Sequence, residues 1–228
     1  MDDPLTHTSP AVPPAVPQPA SEAGHWNSIY RDRGPSHVSW FQSEPQPSLE
    51  LITALASDHR DGVIDVGGGT SVLAARLAGQ GFTDVTVLDV SCQALQHARD
   101  AARNTPGADT ITWTCADLLA WRPDRAYRIW HDRAVFHFLT DPADRVIYLS
   151  TLRAALADGG AIVLATFAPG GPTHCSGLPV ARYSPQELAA QLTTVLGDEV
   201  SLVSSRTDPH HTPAGAIQPF TWITARLR

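Results

Sequence analysis

Asp65, Asp89 and Asp117 stand at or near the ends of short apolar runs, in "VIDVGGGTS", "VTVLDVS" and "TCADL". Directly after the first run come three glycines, Gly67, Gly68 and Gly69. A strand that runs into glycines and then a helix offers backbone N–H groups and a positive helix end to a ligand. A tight turn would need one glycine for its positive φ, so three in a row point to close approach of something to the main chain. Asp89 follows Asp65 by two dozen positions, where a carboxylate can accept both hydroxyls of a ribose. Asp117 ends the next strand-like run, beside the place of an adenine, where it could accept from an exocyclic amine. The three acids in register with the glycines suit one adenosine.

A second set lies in "YRIWHDRAVFHFLTDPADR". His131, Asp132, Arg133 and His137 fall where a second substrate should meet the reactive end of that ligand. His137 is the candidate general base, because an imidazole titrates near neutrality. A hydrogen-bonded structural histidine would read the same way. His174, Cys175, Arg182 and Tyr183 lie in a Gly- and Pro-rich loop expected at the same edge, and His210 and His211 in another. These histidines and cysteines show neither i, i+4 nor CxxC spacing, so no metal is expected.

The elements that must hold these groups alternate along the chain. "PSLELITALAS", "TSVLAARLAGQG", "SCQALQHARDAARN", "DPADRVIYLSTLRAALADGG" and "SPQELAAQLTTVLG" read as helices, several with Ser, Asp or Pro at their starts. Between them "GVIDVG", "DVTVLDVS", "TITWTCAD", "AYRIWHD" and "AIVLATF" read as strands. Such alternation predicts an α/β fold, a doubly wound and mostly parallel sheet with helices on both faces. The closing strands "VSLVSSRT" and "IQPFTWITARL" are joined by too short a segment for a helical crossover and should pair antiparallel. Residues 1–24, rich in Pro, Ala and Ser, read as a disordered tail, which leaves residues 25–228 as one domain.

The 228 residues carry a net charge of −7, which argues against nucleic acid as the main partner. No apolar run approaches the roughly 18 residues that span a bilayer. Three widely spaced cysteines, Cys92, Cys115 and Cys175, read as reduced thiols of a cytoplasmic protein. The predominance of arginine over lysine suggests a GC-rich bacterial genome.

The stretch Asp-x-Gly-Gly-Gly-Thr-Ser resembles the first motif of class I S-adenosylmethionine-dependent methyltransferases. The resemblance covers about residues 25–228 and implies a seven-stranded Rossmann-like sheet with an antiparallel terminal strand. It implies S-adenosyl-L-methionine as cofactor, with Asp65 and Gly67–Gly69 at its methionine part, Asp89 on ribose and Asp117 at adenine, flanked by Val90, Leu118 and His131. "HWNSIYRDRGPSHVSWFQ" is similar to a segment of the thiopurine-type thiol methyltransferases and of the small lysine methyltransferases. By that likeness Trp26, Tyr30, Trp40 and Phe41 form a lid whose rings can face the sulfonium. "WHDRAV" resembles the "W-D-R-G-A-L" of the thiopurine branch, with Ala134 in place of glycine, and puts Arg133 beside the substrate. The implied reaction is methyl transfer to a small-molecule sulfur or nitrogen nucleophile, with His137, Asp132 and Arg133 at the acceptor. A protein lysine N-methyltransferase is the alternative, and an inactive nucleotide-binding regulatory module the one from another class. Oligomeric state is left open.

Overall fold

The computed structural model describes residues 22–34 and 37–228. The tail expected over 1–24 lies outside them up to residue 21, while residues 22–24 form the first turn of a helix. The elements in order are α1 (Glu22–Arg33), α2 (Ser48–Leu55), β1 (Val63–Val66), α3 (Leu73–Gly79), β2 (Val85–Asp89), α4 (Cys92–Ala102), β3 (Ile111–Cys115) and β4 (Tyr127–Arg133). They continue with α5 (Pro142–Ala155), β5 (Leu156–Phe167), a small hairpin of β6 (His174–Cys175) and β7 (Leu178–Pro179), α6 (Pro185–Leu196), β8 (Val200–His211) and β9 (Ile217–Leu227).

Seven strands form one sheet in the order β3-β2-β1-β4-β5-β9-β8. The pairs from β3 to β5 are parallel, and β9 runs antiparallel to both β5 and β8. This is the doubly wound, Rossmann-like sheet with a reversed strand that the alternation and the short final connection predict. Strand order reverses between β1 and β4, the crevice where such sheets receive ligands.

Side chains of successive strand residues leave opposite faces, so each strand feeds two cores. Ile64, Val66, Trp130, Ile162 and Leu164 pack with Leu149 and Leu152 of α5 and Leu188 and Leu192 of α6. Val63, Val85, Ile129, Ala161 and Val163 pack with Ile52 of α2 and with Leu73 and Leu77 of α3. Each fully buried side chain of this size contributes about 1.5–3 kcal/mol. Local signals set the helix starts. Asp141 accepts from the Ala143 N–H at 2.8 Å with Pro142 in the first turn, and Ser184 with Glu187 forms a capping box. Ser91 accepts from the Ala94 N–H at 3.1 Å, and its own hydroxyl donates to Asn27 Oδ1 at 2.6 Å, which ties α1 to the start of α4.

Two findings depart from the sequence reading. The helix expected from residue 70 begins at Leu73, because Gly67 and Gly69 take positive φ and lengthen the preceding loop. Cys92 and Cys115, expected as reduced thiols, form a disulfide across 23 positions. Asp89 pairs in register with Cys115, so the end of β3 lies beside the first residue of α4, with Cα atoms 5.1 Å apart.

Candidate active site

A cavity of about 500 Å³ opens over the carboxyl ends of β1, β2 and β4. Its lining includes Gly67, Asp89, Val90, Asp117 and Leu118 from the strand ends, Trp26, Tyr30 and Trp40 from the amino-terminal segment, and Arg133, Ala134 and His137 after β4. That volume lies within the range of small-molecule sites. Phe138, Phe167, Leu178, Gln218 and Phe220 also line it, and the sequence reading did not include them. Phe167 and Phe220 belong to runs called strands, and their facing sides follow from the pairing of β5 with β9 in register.

Asp89 is 9% exposed, and Oδ1 accepts from the Ser91 N–H at 2.7 Å, with the Gly69 N–H also donating to the carboxyl. Burial pushes its pKa up to about 6, further raised by Asp65 and opposed by the two N–H donors. Asp117 is exposed and holds its own turn, accepting from the Leu119 N–H at 2.9 Å. Two carboxylates on the wall nearest β2 and β3 leave acceptor lone pairs for hydroxyl and amine donors, the chemistry an adenosine supplies.

The glycines are crowded by the protein's own side chains. A Cβ at Gly67 would strike Val135 Cγ2, one at Gly68 would strike Val87 and Asp65, and one at Gly69 would strike the Tyr30 hydroxyl. Gly67 lines the cavity as well, so the tight loop serves both packing and access. Above it, Trp26 meets Trp40 and Phe138 edge to face, with centroids 5.9 and 5.1 Å apart, and Tyr30 meets Trp40 at 6.1 Å. Burial and the nearby Asp89 hold the Tyr30 phenol neutral. Phe41 lies outside this cavity lining.

Asp65 and His131 are register partners on β1 and β4, and both turn toward α2. His131 Nδ1–H donates to Asp65 Oδ1 at 2.7 Å, and the Ser48 hydroxyl lies 2.9 Å from Nε2. Neither residue lines the cavity. Their side chains bond to each other and, through His131, to Ser48.

Asp132 is also absent from the cavity wall. It turns to the α5 face, accepting from the Val135 and Phe136 N–H groups at 2.8 and 3.0 Å and from the Tyr148 hydroxyl at 2.7 Å. Tyr148 in turn accepts from Trp130 Nε1 at 2.9 Å. Burial raises the Asp132 pKa to about 6 against these donors. The carboxylate therefore secures the turn that follows β4, where Ala134 stands at φ +80°. Glycine is the residue that adopts this conformation without strain, which explains the glycine of the similar families.

His137 is fully buried at the cavity wall. Its Nδ1 accepts from the Phe167 N–H at 3.4 Å, so the neutral ring carries its proton on Nε2, which has no hydrogen-bond partner among the described residues. Burial pushes its pKa down to about 3. In that tautomer Nδ1 is already used as an acceptor and Nε2–H is a donor.

Among the remaining candidates, Cys175 lines the cavity from β6, half-buried. Arg182 braces its loop by donating to the Pro169 and Gly171 carbonyls, Tyr183 sits in the core, and His210 Nε2 lies 2.6 Å from the Ser39 carbonyl oxygen. His174 and His211 line no part of the cavity. Among the described residues no helix is long and apolar enough to cross a membrane.

Comparison with known proteins agrees with this geometry. Residues 63–160 match a family model described as a methyltransferase domain. A tRNA1(Val) (adenine(37)-N6)-methyltransferase of Enterobacter sp. (strain 638) is 34% identical over 68 residues, 29% of this chain and 28% of that protein. An uncharacterised methyltransferase of Mycobacterium tuberculosis is 30% identical over 118 residues, 51% of this chain and 56% of that protein. The chain thus spans about a quarter and about half of the length of these curated relatives.

Among solved structures, one described for converting a disulfide bond into a thioacetal group during echinomycin biosynthesis has a TM-score of 0.68 at 20% identity. That match covers 89% of this chain and 91% of that one. A glycopeptide N-methyltransferase complexed with S-adenosyl-L-methionine has a TM-score of 0.61 at 15% identity, covering 79% and 92%. The matched domain holds β1, the glycine loop and Asp89, and the strand order with its reversed β9 belongs to the same group of folds. Residues 63–160 thus match a methyltransferase domain, and the sheet around them is the fold shared with solved S-adenosylmethionine-dependent methyltransferases.

Proposed function

We propose that the chain methylates a sulfur or nitrogen atom of a small molecule. S-adenosyl-L-methionine, when bound, supplies an electrophilic methyl group on a sulfonium. Asp89 and Asp117 are suited to fix the nucleoside end, and Gly67 allows the backbone to approach it. Trp26, Trp40 and Phe138 cover the opposite end, exclude water and offer ring faces to a cation.

The observation that carries the choice of nucleophile is the absence of a ready base among the acceptor-side candidates. Asp132 is engaged by three donors away from the cavity, and His137 presents a protonated nitrogen. A thiolate or a neutral amine already holds the lone pair that attacks, so alignment and water exclusion suffice.

The test is calorimetry with S-adenosyl-L-methionine and S-adenosylhomocysteine, followed by turnover with panels of thiols, amines and lysine peptides. The expected result is binding of both nucleosides and release of S-adenosylhomocysteine with a thiol or amine. Turnover with lysine peptides alone would select the other acceptor class, and binding without turnover on any panel would favour the regulatory module.

A further inference from the structure

The Cys92–Cys115 disulfide joins the first residue of α4 to the last residue of β3. Both cysteines are exposed, so a dissolved thiol can reach either sulfur. Both also adjoin the cavity wall. Val90 lies two positions before Cys92, and Ala116, Asp117, Leu118 and Leu119 follow Cys115 directly, and all of these line the cavity.

The wall hangs on an edge of the sheet, because β3 has β2 as its single neighbour. Leu118 packs into the core on the α5 side and anchors the turn after β3 there. Toward β2 and α4 the strand end is tied at two points past its last register pair, Asp89 with Cys115. One is the Ala116 N–H, which donates to the Asp89 carbonyl at 3.0 Å, and the other is the disulfide.

On the far side of the bridge stands Ser91, next to Cys92. The Ser91 N–H donates to Asp89 Oδ1 at 2.7 Å, and its hydroxyl donates to Asn27 of α1, the helix that carries Trp26 and Tyr30. The bridge thus couples the Asp117 turn to the residue that orients the Asp89 carboxylate. Cutting it leaves the end of an edge strand with one backbone bond at that point, and such ends open locally at low cost.

Resting on the adenosine placement proposed above, we propose that the Cys92–Cys115 bridge is a redox switch on the cofactor site. The oxidised chain holds the two carboxylates at a fixed spacing for the nucleoside, and the reduced chain holds them loosely and binds it weakly. Opening takes a dithiol. One of its thiolates attacks a bridge sulfur, and the other cysteine leaves as a thiolate and takes up a proton. The second thiol of the reagent then attacks the mixed disulfide, frees the remaining cysteine and closes the reagent as a disulfide. The chain gains two electrons and two protons, and the dithiol loses them.

The test is calorimetry with S-adenosylhomocysteine on the full chain before and after dithiothreitol, with thiol titration and circular dichroism of each form. The oxidised form should bind about tenfold more tightly, within the ordinary span of coupling between sites. Reoxidation should restore the tight form. Coupling is reciprocal, so saturating S-adenosylhomocysteine should shift the dithiothreitol equilibrium toward the bridge by the same factor. Cys92→Ser should bind like the reduced chain and ignore the reagent.

Equal or weaker affinity in the oxidised form, with the reduced bridge shown open by titration, would overturn the inference and leave the cofactor reading intact. That comparison needs no variant that could misfold. All thiols titrating before any reductant is added would overturn it, as would a reductant response that survives in Cys92→Ser. Loss of the fold on reduction would make the bridge a general staple and overturn it too. Failure of both forms to bind would overturn the inference and the cofactor reading together.

Discussion

A carboxylate hidden from water and still required to accept from a ligand is costly to keep. Asp89 is kept by the Ser91 and Gly69 N–H groups, yet burial still lifts its pKa to about 6. Ribose hydroxyls are donors, so they favour the ionised form. Asp89→Asn keeps the shape and loses the charge, and should weaken S-adenosylhomocysteine by about tenfold to a hundredfold in calorimetry. Wild-type affinity should also fall as pH drops below about 6, by up to about tenfold per unit, while the Asn variant stays level through that range. Unchanged affinity in the variant would remove Asp89 from the site. Ala134 makes a different kind of residue argument. At φ +80° its Cβ strains the backbone by about 1–2 kcal/mol, whereas glycine would be relaxed there but lose more freedom on folding. Ala134→Gly should therefore raise stability by a net of about 0.5–1 kcal/mol in denaturant unfolding. A loss would mean that the Ala134 methyl packs usefully at the cavity wall.

The elements show what a linear reading can and cannot reach. Helix caps, strand runs and the short link between β8 and β9 are local signals, and they predicted the sheet and its reversed strand. Asp89 ends β2 and Asp117 lies two residues past the end of β3, positions that strand runs alone can indicate. The trio of Asp65, His131 and Ser48 could not be placed in this way, since it depends on β1 lying in register beside β4, 66 positions away, with α2 above both. The partners of Asp132 were out of reach for a similar reason. Nothing near it in sequence shows that Tyr148, on a helix that begins nine positions after β4 ends, turns back to donate to it. The cysteines follow the same rule, because only the pairing of β2 with β3 brings Cys115 to the first residue of α4. That bridge closes a loop of 23 positions and should contribute about 3 kcal/mol by restricting the unfolded chain. Mild reduction, or Cys115→Ser, should lower the melting temperature by several degrees. A thiol count should rise from one to three per chain on reduction. Three reactive thiols before any reductant is added would show the bridge to be absent.

At the scale of the molecule the buried titratable groups oppose one another. Asp89 and Asp132 each have a folded pKa raised to about 6 by burial. Their relative stabilisation is fully present below the unfolded value near 3.8 and is lost as pH rises through about 6. His137 has a folded pKa lowered to about 3, so its stabilisation is present above the unfolded value near 6.5 and is lost as pH falls toward 3. Mild acid therefore relieves the two carboxylates while it penalises the imidazole, and the sum hides each contribution. Substituting the imidazole separates them. His137→Phe fits among Phe138 and Phe167 and cannot titrate, at the cost of the hydrogen bond from Phe167. Whatever that fixed cost, the variant should gain on the wild type by about 2 kcal/mol between pH 7.5 and pH 5.0, because the wild-type ring must stay neutral where the unfolded chain would charge it. Denaturant unfolding of both proteins at the two pH values measures this difference of differences. If it is near zero, His137 protonates freely in the folded protein. The ring would then have access to water, and a role as a base would be open to it again.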